Sequence, residues 1–340
     1  MKISALNDMD GTAVDWWFAY KLPHNAKPVK NRHGKHSTGQ EYLYFDAQTQ
    51  GPLAMSPHSQ ILQAGALYNT LQQLYQAQAD NDPNVGWILY NDEMPQKDAD
   101  DDERKGHTKG MLLFDAKTET AVWLLHSWPK FPALDPTNEP SYDYGQTFLC
   151  VTLPDIATAN LIAQQMCHEQ EPQVYSSRIP ESLKNITYLH QLATAVNVNE
   201  KEPPCDIPFH SRAGRKFRLL AKNRYQRDDF WVDVVGPRLK ADLQVETWRR
   251  GTLPTTEDVD NTHDAKDVLY INLEPLGIDY EWHYTKDHAK WASSLKNNWV
   301  CVADINRQTS QEKRGGGAIC FQHAGLWQSL SQIEKYKKPT

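Results

Sequence analysis

The chain has 340 residues, 39% hydrophobic and 10% aromatic, ample to bury more than one core. With 11 tryptophans and 15 tyrosines against 17 glycines and 20 prolines, it is neither disordered, collagen-like nor low-complexity. No stretch approaches the ~18–20 uninterrupted apolar residues of a spanning helix, so no membrane partner is expected. The net charge is −7 with histidine neutral, and it becomes +6 once all 13 histidines are protonated. Such a chain would repel a polyanion at neutral pH and hold it in mild acid; equally, the histidines are surface groups that titrate without consequence. The first residues contain no apolar signal region, which reads as a cytoplasmic chain or a mature, re-started one.

The elements follow in order. Trp16–Tyr20 and Tyr42–Asp46 read as aromatic strands bounded by polar loops. Ser56-Pro57 reads as the start of a helix whose apolar positions Leu67, Leu71, Leu74 and Tyr75 keep helical spacing. Trp87–Tyr90 is a short strand, and the acidic stretch from Lys97 to Lys105 a solvated loop. Met111–Phe114 and Ala121–Leu125 form a hairpin, Thr147–Leu153 a strand, and Pro154 opens a helix reaching about Cys167. In the second half a basic helix is predicted from Ser211 to Tyr225, and Ala241–Trp248 alternates as a strand. Val268–Ile271 and Trp299–Ala303 are further strands, and a last helix covers Ala324 to Tyr336. Cys301 and Cys320 are spaced for a loop-closing disulfide in an oxidising compartment; Cys150, Cys167 and Cys205 read as thiols or as one more bridge and a leftover.

The chain repeats itself. Leu89–Pro95 resembles Leu269–Pro275, and each is followed by an H-x-K triplet, His107-Thr108-Lys109 and His288-Ala289-Lys290. His126 and Asn306 then close the strand that follows each triplet. A third triplet, His33-Gly34-Lys35, lacks this context. The expected architecture is α/β with mixed sheets: two lobes, residues 1–170 and 171–340, related by a pseudo-twofold axis that brings both triplets to one site. Two histidines and two lysines suit phosphodiester chemistry without a metal. One imidazole attacks phosphorus, the other moves the proton, and the lysines neutralise the nonbridging oxygens. No H-E-x-x-H motif occurs, and no metal or other cofactor is expected.

These motifs resemble the deoxyribonuclease II family, acid endonucleases related to the phospholipase D superfamily. The resemblance rests on Val14-Asp15-Trp16, Tyr20-Lys21-Leu22-Pro23, Leu89-Tyr90-Asn91-Asp92, Gly106–Gly110, Trp123–Ser127, Tyr144–Cys150, Asp287–Trp291 and Asp304–Arg307 through Arg314–Gly317. It spans essentially the whole chain. It implies two phospholipase D-like lobes and metal-independent cleavage of double-stranded DNA in acid, through a phosphohistidine, to 3′-phosphate and 5′-hydroxyl ends. It makes His107, Lys109, His288 and Lys290 catalytic, with His107 as nucleophile by the superfamily's usual choice. The pattern H-x-K-x4-D places Phe114, then Leu295, where an aspartate is expected. His126 and Asn306, with Asp304, stand as supporting groups instead. The early cysteine of animal members is absent, while the Cys301–Cys320 pair is retained. The family is typically lysosomal or secreted.

Weaker candidates remain open. Arg212 to Arg227 holds seven basic residues, Lys222 among them, and reads as a DNA track or a solvated helix face. Arg307 touches phosphate or pairs with Asp304. Arg314, beside Gly315–Gly317, reads as a phosphate contact or part of a flexible loop. The alternative to an enzyme is a non-catalytic module that binds DNA or another phosphate polymer on the same fold; phosphatidyl transfer is a substrate variant of the same chemistry. Two lobes in one monomer already complete a site, so a homodimer would serve to clamp DNA.

Overall fold

A computed structural model describes residues 2–30, 33–95, 104–135, 137–194, 203–249, 251 and 263–336. Most of the acidic stretch predicted as a loop, residues 96–103, lies outside them. The chain opens with β1 (Ala5–Leu6) and β2 (Ala13–Val14), then β3 (Trp16–Lys21), β4 (Tyr42–Asp46), β5 (Ala54–Met55) and helix α1 (Ala66–Ala79). There follow β6 (Val85–Asn91), β7 (Lys109–Asp115), β8 (Thr120–His126), β9 (Gln146–Leu153), α2 (Ile156–Gln165), β10 (Val174–Arg178) and α3 (Thr187–Thr194). The second half brings β11 (Cys205–His210), β12 (Lys216–Lys222), a π-helical turn (Phe230–Val235) leading into α4 (Gly236–Leu239), β13 (Leu243–Glu246), β14 (Ala265–Asp267), β15 (Tyr270–Asn272) and β16 (Glu281–His283). It ends with β17 (Trp291–Ser294), β18 (Trp299–Ala303), β19 (Gly316–Gln322), α5 (Ala324–Ile333) and β20 (Glu334–Lys335).

The fold is mixed α/β. Eight strands pair in the order β10-β6-β7-β8-β9-β3-β4-β5, and seven in the order β11-β12-β19-β18-β17-β13-β14. The central strands match: β6-β7-β8-β9-β3 in one sheet corresponds to β13-β17-β18-β19-β12 in the other. Helices keep the match, because α2 follows β9 as α5 follows β19. Register makes it residue-specific. Gly110 faces Leu125 as Trp291 faces Val302, and His126 faces Phe148 as Ala303 faces Ala318. The equivalences that follow are His107 with His288, Lys109 with Lys290, Ser127 with Asp304, and Gly145 with Gly315. Lys21 faces Gln146 and Lys222 faces Gly316, so these two lysines are equivalent as well.

Apolar burial sets the layers. One face of the first sheet, with Trp17 and Leu89, packs on Leu67, Leu71 and Leu74 of α1. One face of the second, with Leu220 and Ala303, packs on Phe230, Trp231 and Leu239. A third core joins the lobes through Trp16, Phe18, Trp291, Val302, Phe321, Ile162 of α2 and Leu330 of α5. Inside it the Trp16 and Phe321 rings meet edge-to-face at 5.1 Å.

Several sequence expectations are corrected. The segment Ser211–Tyr225 is not a helix: Lys216–Lys222 is β12, between β11 and β19. Its Phe217, Leu219 and Ala221 alternate with Leu220, but both faces are buried, so the apolar run FRLLA hides the period of two. Helix α1 starts at Ala66 rather than near Ser56; the Asp8 carboxylate accepts from Ala66 N at 3.0 Å and fixes that end. Tyr270–Asn272 belongs to a small sheet with β16 and β20, so Leu269–Pro275 is not the counterpart of Leu89–Pro95; β13 is. The Cys301–Cys320 bridge joins directly opposed residues of β18 and β19, and the other three cysteines are thiols.

The stretch between the lobes passes tightly between site segments. A Cβ on Gly106 would overlap the carbonyl oxygen of Gln170, and one on Gly315 would lie 2.7 Å from the carbonyl oxygens of Glu169 and Gln170. Gly106→Ala and Gly315→Ala are each expected to lower stability by about 1–3 kcal/mol in urea unfolding, as overpacking does. Gly51→Ala, with nothing within 4 Å, is expected to leave the midpoint in place.

Candidate active site

The two H-x-K segments are the extended lead-ins to equivalent strands, β7 and β17. Each is fixed by a main-chain hydrogen bond from the opposite lobe: His107 N donates to Gly315 O at 2.8 Å, and His288 N to Gly145 O at 2.9 Å. The accepting glycines are themselves equivalent, each just ahead of β9 or β19. Crowding explains the residue type at Gly145, where a Cβ would meet the Asp287 carboxylate.

Around this symmetric frame the side chains differ. His107 Nδ1 lies against the main-chain oxygen of Asp304, which only accepts, so Nδ1 carries a proton. Its Nε2 lies 3.4 Å from Asp92 Oδ2, and Asp92 also pairs with Lys109 and, at 3.3 Å, with Arg314 Nη1. Burial alone would raise the Asp92 pKa, but His107, Lys109 and Arg314 outweigh it and hold the carboxyl well below its ordinary range. The position equivalent to Asp92, one past the β13 residue Glu246 and its neighbour Thr247, is Trp248. Among the described residues, no carboxylate is paired with the His288 ring as Asp92 is with His107. The His288 ring stacks on Tyr144 at 3.9 Å and meets Trp248 at 4.7 Å, and its Nε2 is buried with no hydrogen-bond partner among the described residues.

The charged groups of each triplet act on those of the other. His288 is lowered to about 2 by burial, then by Lys290 and Lys109. Lys290 is lowered to about 7 by burial, then by Lys109. His107 is lowered by burial and by both lysines, with Asp92 pulling the other way. The supporting residues fall into place differently. His126, at the end of β8, is buried and lowered by the same causes. Its Nδ1 accepts from Trp128 N at 3.1 Å, which puts its proton on Nε2, a buried atom with no partner among the described residues. The Asp304 carboxylate accepts from Gly317 N at 2.7 Å, and burial raises it to about 7; it orients His107 through its carbonyl, not its side chain. Asn306 lies beside His107, Trp248 and Arg314 in a cleft of about 270 Å³. Register makes Ser127, not His126, the counterpart of Asp304, so His126 and Asn306 are not equivalent.

Three basic candidates resolve. Arg314 lines the cleft. Arg307 is buried and pairs with Asp229 at 2.9 Å and Asp267 at 2.6 Å, so it meets neither Asp304 nor the cleft. Lys222 is buried and its Nζ donates to three main-chain oxygens, so it is no DNA contact. The basic run around it is not one track: Arg212 bonds Ser4 Oγ and Ile3 O, Arg218 pairs with Asp206, and Arg224 with Glu171. His33 and Lys35 lie on an exposed loop. Asp115, nearest to the missing H-x-K-x4-D aspartate, caps the far turn of the β7–β8 hairpin, and Leu295 is exposed. Asp92, Tyr144 and Trp248 were not assigned a role from sequence; the available signals were Asp92 inside the Leu89-Tyr90-Asn91-Asp92 motif and Tyr144 at the head of Tyr144–Cys150.

Two imidazoles and two ammonium groups that act on one another from two lobes of one chain are the chemistry that suits an anion such as a phosphate diester. The deoxyribonuclease II family model matches residues 6–339. A putative deoxyribonuclease-2 of Burkholderia pseudomallei (strain K96243) is 44% identical over 98% of this chain and 93% of its own. The human deoxyribonuclease-2-beta is 33% identical over 98% of this chain and 91% of its own. The chain belongs to the deoxyribonuclease II family. Among solved structures, the yeast tyrosyl-DNA phosphodiesterase covers 64% of this chain and 67% of its own at a TM-score of 0.33 and 8% identity, a likeness too slight to add to the family match.

Asp92→Asn leaves buried Lys109 and half-buried Arg314 without their counter-charge. It is expected to cost about 3–5 kcal/mol in urea unfolding at pH 7. Because the folded carboxyl titrates below its unfolded value, that contribution is fully present above the ordinary carboxylate pKa of 3.8 and is lost as pH falls below it. The wild-type–variant difference should therefore be flat from pH 7 to 5 and shrink below about pH 4.

Proposed function

We propose that the chain is a metal-independent acid endonuclease that hydrolyses double-stranded DNA through a covalent phosphohistidine. Membership of the family supports DNA hydrolysis. The observation that carries the mechanism is the difference between the two histidines: His288 presents an unpartnered Nε2, and His107 presents an Nε2 to a carboxylate.

That difference assigns roles opposite to the superfamily's usual choice. A nucleophile needs a neutral ring with a free lone pair, and burial between Tyr144 and Trp248 beside two lysines keeps His288 neutral. A general acid needs a proton at working pH. His107 has acceptors at both nitrogens, Asp304 O and Asp92, and the bound diester adds negative charge that raises its pKa. His288 Nε2 attacks phosphorus, the P–O5′ bond breaks, and the His107 Nε2 proton goes to the departing oxygen, which leaves as the 5′-hydroxyl. The 3′-phosphate is then held on His288. His107 takes a proton from water, whose oxygen attacks phosphorus; the N–P bond breaks and the 3′-phosphate end leaves. Lys109, Lys290 and the His126 Nε2–H bind the nonbridging oxygens as charge builds. Arg314 and Asn306, on the cleft wall, meet the flanking backbone. The two lobes follow the phospholipase D-like plan, with one site per chain; because β10 (Val174–Arg178) pairs with β6, the first lobe runs past the boundary expected at residue 170.

Acid favours both halves of this reading. Protonation of surface histidines reduces the net charge of −7 and aids capture of DNA, and the acid role of His107 needs its proton. An optimum near ~4.5–6 is expected for cleavage, retained in single-turnover rates at saturating DNA. Quenching a turnover in alkali, where the acid-labile N–P bond survives, and mapping the modified histidine should place phosphate on His288; phosphate on His107 would reverse the roles. Plasmid nicking in EDTA should continue undiminished. Loss of nicking that a divalent ion restores would overturn the metal-free mechanism.

A further inference from the structure

Two lysines outside the H-x-K triplets occupy equivalent positions and make equivalent bonds. Lys21 ends β3 opposite Gln146, and Lys222 ends β12 opposite Gly316. Both are fully buried. Lys21 Nζ donates to Leu22 O at 2.9 Å, Gly39 O at 2.8 Å and Tyr142 O at 3.1 Å. Lys222 Nζ donates to Gln226 O at 2.8 Å, Glu312 O at 2.7 Å and Arg314 O at 3.0 Å. Tyr142 lies three residues before Gly145, and Glu312 three before Gly315. Each ammonium thus ties down the short strap whose glycine carbonyl holds the catalytic histidine of the opposite lobe.

The geometry points to Lys21 and Lys222 as a crossed pair of positioning residues: Lys21 sets His288 through the strap 142–145, and Lys222 sets His107 through the strap 312–315. The inference rests on the proposed roles of those two histidines. The physical argument is valence. An ammonium has three N–H donors and no lone pair, so three carbonyl oxygens saturate it. An uncharged side chain of the same length leaves those carbonyls without donors in a buried place, and the straps must shift to find others. A shift of about 1 Å at a reacting nitrogen costs on the order of 10²-fold in rate. The Nζ bonds of both lysines go to main-chain carbonyls and neither lysine lines the cleft, so neither is a catalytic residue.

Charge favours the same arrangement in acid. The groups around Lys21 are Asp287, Glu41 and Asp143, with the rings of Trp128 and Tyr142 at 5.4 and 5.7 Å. Those around Lys222 are Asp228, Glu312 and Asp229. Burial lowers Lys21 to about 7 and Lys222 to about 8, against the pull of these carboxylates. A neutral amine turns a lone pair toward one carbonyl, so the cages are complete below these values and loosen above them.

The test is Lys21→Met and Lys222→Met in the full chain, with Lys216→Met, an exposed lysine at the far end of β12, as control. Folding is checked by circular dichroism, histidine ring positions by NMR of 15N-histidine-labelled protein, and rate by single-turnover cleavage of duplex DNA. Lys21→Met is expected to move the His288 ring signals and leave those of His107. Lys222→Met is expected to do the reverse. Each should lower the single-turnover rate about 10- to 100-fold with KM little changed. Where a Met variant fails to fold, the Gln variant, which keeps two N–H donors without charge, is read in its place. Signals of both histidines moving together in either variant, or a rate at wild-type level in a folded variant, would overturn the crossed assignment. The NMR result is independent of turnover, so an inactive wild type would sink the nuclease mechanism and leave this inference standing or falling by itself.

Discussion

Two main-chain hydrogen bonds, His107 N to Gly315 O and His288 N to Gly145 O, carry the rest of the structure. Each crosses from one lobe to the other, so neither lobe positions its own H-x-K triplet. The consequence is energetic as well as geometric. Lys109, Lys290, His107, His126 and His288 crowd into a buried space where like charges repel and burial penalises every cation. A single lobe would hold one such group of charges at an open edge. Two interlocked lobes enclose both, and the apolar core through Trp16, Trp291 and Phe321 supplies the driving force that keeps them together.

Pseudo-symmetry gives the frame, and departures from it give the chemistry. Backbone features obey the symmetry: strand order, the glycine carbonyls, the buried lysines Lys21 and Lys222. Side chains break it at the point where two identical histidines would be useless. Asp92 stands on one side and Trp248 on the other, so one imidazole meets a carboxylate and its twin an aromatic wall. In the proposed mechanism this one difference, just past the ends of β6 and β13, divides the repeated motif into nucleophile and acid.

The legible part of the site was the part encoded locally. Two H-x-K triplets with similar spacing to the next polar strand end mark equivalent hairpins, and those hairpins exist as β7–β8 and β17–β18. Strands with aromatic or β-branched runs between polar loops, such as Trp16–Tyr20 and Trp299–Ala303, were equally plain. What escaped depends on partners distant in sequence. Lys222 looks like one charge in a basic run; only the register of β12 against β19 places its ammonium under the carbonyls of residues 312 and 314. Arg307 reads as a phosphate contact or a partner of Asp304 until Asp229 and Asp267 arrive from 78 and 40 residues away. The strand at 216–222 reads as a helix because burial on both faces erases alternation. Asp92 lay within a quoted motif, yet its role appears only when Arg314 comes to it from the other lobe.

The central claim is that each chain holds one anion site to which both lobes contribute a lysine. Calorimetric titration of the wild-type protein with a nucleoside 3′-phosphate, which has no diester to cleave, at pH 5 in EDTA, counts such sites directly. The account predicts one phosphate bound per chain, with binding abolished by Lys109→Met and by Lys290→Met alike. Two phosphates per chain, or undiminished binding in either variant, would contradict it.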